Sequence, residues 1–120
     1  MAERAISLRV PYITIRIRIL GGDPEIETDA LVDTGYDGHL ILPVIRLPDE
    51  VEPFTQRWLQ SADGYLSRLP IYRGEVEIVG LTAILPCPTM IGGSEVLLGR
   101  KILDSFRVTF DHGREVVVEA

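Results

Sequence analysis

The chain has 120 residues, 46% hydrophobic and 25% charged, with a formal net charge of −6. That size and balance suit one domain, residues 1–120, with an ordinary core. The acidic balance and the lack of any basic tract argue against a nucleic-acid partner. Met1-Ala2-Glu3-Arg4 leads into no long apolar stretch. Neither a secretory leader nor a membrane span is therefore expected, and the reading is a soluble protein of the cytoplasm. Ile13, Ile15, Ile17 and Ile19 alternate with Thr14, Arg16 and Arg18. This period of two marks a strand with one buried face and one wet face. Gly21-Gly22-Asp23-Pro24 supplies a turn, and residues 25–32 read as the partner strand.

That hairpin delivers Asp33-Thr34-Gly35, and Tyr36-Asp37-Gly38 extends the loop. Residues 39–42 return as a short strand that Pro43 ends. Residues 44–55, with Pro48, Pro53 and several acids, read as irregular. Residues 56–61 and 65–72 flank Ala62-Asp63-Gly64, a strong short-range hairpin signal. Residues 75–79, closed by Gly80, and residues 81–85 read as two more strands. Residues 89–95, with Gly92-Gly93, read as a loop. Val96-Leu97-Leu98 reads as a short buried strand stopped by Gly99. Residues 100–106 are the best helix candidate, with Ile102, Leu103 and Phe106 on one stripe. Residues 107–111 and 115–119 close the chain as a hairpin around His112-Gly113. Short strands punctuated by Gly and Pro, with one short helix, predict an all-β fold, a small closed β-barrel.

Most reactive side chains have a structural reading. Cys87 is the only cysteine, sits between prolines, and reads as a buried thiol. His39 and His112 are far apart and lack the spacing of a zinc site. Ser94, His112 and Asp104 could make a triad only on paper, since no nucleophile elbow surrounds a serine. Gly92-Gly93 is not followed by the Lys of a phosphate loop. No metal or organic cofactor is called for. Asp49, Glu50 and Glu52 read as a solvated surface.

Asp33 is different. It stands where an apolar run, Ala30-Leu31-Val32, breaks into a Gly turn, and a carboxylate there is costly without partners. Gly35 offers backbone angles closed to other residues, and the Thr34 hydroxyl can reach nearby backbone or a symmetry mate. Alone, such an Asp is usually a turn former. About sixty residues later comes Leu97-Leu98-Gly99-Arg100. Together the two motifs resemble the single-domain, retroviral-type aspartic proteases, with the Ala62-Asp63-Gly64 hairpin where that family keeps its flap.

The resemblance implies a homodimeric endopeptidase. Each copy would give one Asp33 to a carboxylate pair that activates water for cleavage of a peptide or protein substrate. It implies catalytic roles for Asp33, Thr34 and Gly35, substrate contacts at Asp37, Gly38, Ala62, Asp63 and Gly64, and support from Leu97, Leu98, Gly99 and Arg100. Asp37 and Arg100 would form an ion pair, and the N-terminal residues and residues 115–120 would pair across the two-fold axis. Tyr36 replaces a small residue of that family, so its ring would narrow or reshape the cleft. Trp58 and Tyr65 flank the flap tip, as substrate contacts or as packing. The alternative reading is a non-catalytic dimeric module that kept the fold and binds a peptide strand.

Overall fold

The computed structural model describes residues 3–22, 25–44 and 51–120. Among these, twelve strands and one helical turn follow in order: β1 (Arg4–Ser7), β2 (Tyr12–Ile19), β3 (Ile26–Val32), β4 (Leu40–Leu42), β5 (Thr55–Gln60), β6 (Leu66–Tyr72), β7 (Gly74–Ile78), β8 (Ile84–Pro86), β9 (Thr89–Ile91), β10 (Leu97–Leu98), α1 (Arg100–Leu103), β11 (Arg107–Asp111) and β12 (Glu115–Glu119). The fold is all-β, as expected. Nine strands in the order β5-β6-β9-β4-β10-β3-β2-β7-β8 curl into a half-barrel, and a small sheet, β1-β12-β11, stands beside it. No described helix is long and apolar enough to cross a membrane.

The alternating isoleucines fix the register. Ile13, Ile15, Ile17 and Ile19 are 2%, 0%, 0% and 1% exposed. Their strand lies between β3 and β7, with Ile17 opposite both Ile26 and Val76. On the wet face, Arg16 reaches Glu77 at 2.8 Å, Glu27 at 3.0 Å and Glu25 at 3.4 Å. Burial of each isoleucine contributes about 1.5–3 kcal/mol, whereas a solvated ion pair contributes about 0–1 kcal/mol. The apolar face therefore dominates, since a slip of one residue would bury the arginines.

Several boundaries differ from the sequence reading. Thr89–Ile91, expected within a loop, is a strand buried along its whole length between β4 and β6. Three residues between Pro88 and Gly92 are too few to show a period. The strand expected at 81–85 forms only at Ile84–Pro86, because Leu81 turns inward after Gly80. The helix is one turn, Arg100–Leu103, and Phe106 packs on the core from beyond it. Asp23, Pro24 and residues 45–50, with Pro48, Asp49 and Glu50, lie outside the described residues.

The terminal segments pair within the chain. Strand β1 runs antiparallel to β12 from Arg4↔Glu119 to Ser7↔Val116, and β12 pairs on its other side with β11. The β11–β12 connection is a three-residue loop, 112–114, with positive φ at His112 (52°) and Gly113 (67°), and the Arg114 N–H donates to Asp111 O at 2.9 Å. Cys87 is fully buried in the core, as read from the sequence, and that burial pushes its thiol up to about 12.

Ile17→Ala should lower the unfolding free energy by about 2–5 kcal/mol in urea titration. Arg18→Ala on the wet face should change it by less than about 1 kcal/mol.

Candidate functional site

Two motifs distant in sequence meet at one place. Strand β10 lies between β3 and β4, parallel to the first and antiparallel to the second, with Leu97 beside Leu31 and Leu98 beside Val32. The Leu31 N–H donates to the Val96 carbonyl at 2.8 Å, and the Asp33 N–H donates to the Leu98 carbonyl at 3.0 Å. The chain then leaves β10 through Gly99. The Gly99 N–H donates to His39 O at 2.8 Å, and the Arg100 and Lys101 N–H groups donate to Tyr36 O and Gly38 O, each at 2.9 Å. These donors would otherwise be orphans at the start of a helix. The loop that carries Asp33 supplies their acceptors.

Asp33 is half-buried, and its Oδ1 accepts the Gly35 N–H at 3.0 Å. Gly35 does not have the positive φ expected of it. A methyl there would stand 3.4 Å from Asp33 Oδ1, an ordinary contact, so the space at Gly35 would admit one. Thr34 is exposed, and its hydroxyl has no hydrogen-bond partner among the described residues.

Tyr36 turns back onto its own loop. A methyl on Gly38 would strike the Tyr36 hydroxyl, and one on Gly99 would strike the Gly38 carbonyl and lie 2.6 Å from the Tyr36 ring. Both glycines are therefore spaces for that ring. Tyr36 also packs with Leu59, Leu69 and Leu97 around the buried Ile41, Ile71 and Met90. This cluster joins the inner face of the β5–β6 hairpin to the Asp33 loop. Burial raises the tyrosine's pKa.

The expected Asp37–Arg100 ion pair is not formed. Arg100 extends along its helix to Asp104 at 3.5 Å, and Asp37 is exposed. The backbone of Arg100, not its guanidinium, engages the loop.

The hairpin forms as expected, with Thr55↔Ile71 through Gln60↔Leu66 in register. At its tip, Ala62, Asp63 and Gly64 are exposed, and Gly64 has φ 89°. The Asp63 carboxylate accepts from the Ser61 hydroxyl and the Tyr65 N–H, which hold its pKa below the ordinary value. It braces the turn. Trp58 is 64% exposed and lies opposite Arg68. By strand alternation it faces away from Leu59 and Leu69. It therefore neither packs the hairpin onto the barrel nor faces the Asp33 side.

A solved structure titled as a retropepsin-like aspartic protease from Rickettsia conorii is similar to this chain. The match has a TM-score of 0.61 and 13% identity, and covers 99% of this chain and 92% of that one. At that identity the likeness shows the fold. No family model and no curated protein matches the chain.

Gly99→Ala should cost about 1–3 kcal/mol, because its methyl meets backbone that cannot yield. Gly35→Ala should cost less than about 1 kcal/mol. Chemical denaturation of the two variants side by side checks the contrast.

Proposed function

We propose that this chain is an aspartic-type endopeptidase that works as a homodimer, each copy supplying one Asp33. The observation that carries the reading is the setting of that carboxylate. It belongs to a loop pinned by five backbone hydrogen bonds, from Asp33, Tyr36, Gly99, Arg100 and Lys101, and its Oδ1 is held by the Gly35 N–H. The likeness in fold to a protein titled as an aspartic protease supports it. Fixed geometry is what a catalytic group needs, and a lone turn-forming Asp has no use for it.

Two such carboxyl groups brought together cannot both ionise cheaply, so the pair keeps one proton. The ionised member takes a proton from water as the oxygen attacks the scissile carbonyl carbon. The protonated member donates to the carbonyl oxygen. When the C–N bond breaks, the leaving nitrogen takes a proton from the pair. The peptide lies extended, with the β5–β6 hairpin over it and Leu59, Leu69 and Leu97 as apolar contacts. The exposed Thr34 hydroxyls reach across the two-fold axis.

Asp33→Asn should abolish peptide cleavage while leaving the sedimentation coefficient of the dimer unchanged. Digestion of a mixed peptide library read by mass spectrometry measures the first. A variant that cuts as fast as its parent ends the proposal.

A further inference from the structure

A cavity of about 730 Å³ opens on the outer face of the β2–β3 pair. Its lining includes Arg9, Tyr12, Thr14, Asp29, Pro43 and Glu95. Along β3, residues 27, 29 and 31 share a face, and Asp33 continues that series. Tyr12 stands opposite Leu31, and the Leu31 N–H is bonded to the carbonyl next to Glu95. A peptide extended along this face from Asp33 advances about 3.4 Å per residue, so it meets the cavity within about two to four residues of the bond to be cut.

The polar groups of the wall are sorted. The Arg9 guanidinium stacks over the Tyr12 ring at 4.7 Å and donates to Asp29 Oδ2 at 2.8 Å. The Thr14 hydroxyl holds the other Asp29 oxygen at 2.8 Å. The cation of the wall is thus matched by one carboxylate. Glu95 accepts from the Tyr12 hydroxyl, which raises that tyrosine's pKa, and among the described residues no cation lies within ion-pair distance of Glu95. Glu27, also in the wall, is bonded to Arg16 outside it, which leaves Glu95 as the wall's carboxylate without a cation, at the end of the wall beside Leu31. The chain as a whole is at −6, a field that draws cationic ligands toward it.

We propose that this cavity receives a lysine or arginine side chain of the peptide substrate, with Glu95 as its counter-charge. The assignment rests on the protease reading for the path of the peptide, and its test separates the two. The Asp33→Asn protein is titrated with fluorescein-labelled octapeptides that differ only by Lys, Ala or Glu at one position at a time, and anisotropy gives the affinities. At one position the Lys peptide should bind about fivefold tighter than the Ala peptide, with the Glu peptide weaker still. Glu95→Gln should erase the difference. Arg9→Gln, which leaves Asp29 uncompensated, should widen it. Raising the salt to about 1 M should shrink it.

Absence of binding, absence of a charge preference, a preference for Glu, or a Lys preference untouched by Glu95→Gln would each overturn the assignment. The parent protein is assayed for cleavage of the same peptides. Lys-selective binding with no cleavage by the parent keeps the cavity assignment and removes the protease. Cleavage blind to charge keeps the protease and removes the cavity assignment.

Discussion

The structure depends on one exchange of backbone hydrogen bonds. A helix leaves its first N–H groups unsatisfied, and a loop that reverses sharply leaves carbonyls unsatisfied. Here each cancels the other, through Gly99 to His39, Arg100 to Tyr36 and Lys101 to Gly38. The helix has no side-chain cap, and the loop takes the place of one. Without the short strand β10 to aim it, the helix start would not reach the loop. This is why Leu97-Leu98-Gly99-Arg100 belongs with Asp33-Thr34-Gly35 although they lie some sixty residues apart. It also explains why the Arg100 guanidinium is spare and can lie along its own helix toward Asp104.

Glycine serves that exchange by giving room. Gly38 and Gly99 are where the Tyr36 ring lies, and the ring brings Leu59 and Leu69 of the hairpin into one cluster with the loop. The tyrosine that looked, in sequence, like an obstruction of the cleft is instead the piece that ties loop to hairpin. Side-chain volume says that a group must go somewhere, and only the backbone around it says where.

Patterns that repeat were legible in the sequence. The Ile13–Ile19 alternation, the hairpins around Ala62-Asp63-Gly64 and His112-Gly113, and the Leu97-Leu98 strand all appear where they were expected. Each is encoded by neighbours along the chain, through a period or a turn residue. What could not be read depends on partners remote in sequence. Strand β9 is three residues long and exists because β4 and β6 leave a slot between them. Strand β1 exists because β12 offers an edge. The wet face of β2 was clear from Arg16 and Arg18, but nothing in Ser94-Glu95 announced that this loop would close a cavity beside Tyr12 and Thr14. Asp33 was singled out where an apolar run breaks into a Gly turn, and the backbone bonds that tie its loop to the start of the helix come from residues some sixty positions away.

The pairing of the chain ends bears on how a second Asp33 could be brought up. Strand β12 has β1 on one side and β11 on the other, and the Ala120 N–H reaches back to Glu3 O at 3.2 Å. Its backbone donors and acceptors are therefore engaged within the chain, and an exchange of the last strand between copies would first have to break one of those ladders. In the proposed homodimer, a partner copy would meet this small sheet more cheaply at the outer edge of β1 or β11. Among the described residues neither edge is paired, and beside the first stand Ile6, 53% exposed, and Leu8, 81% exposed. Such an edge joins sheets without unfolding either partner. The proposed pairing of two Asp33 carboxylates would then require only that the two-fold axis pass near Asp33, a condition on how the loops face each other that leaves Glu115–Glu119 where it is.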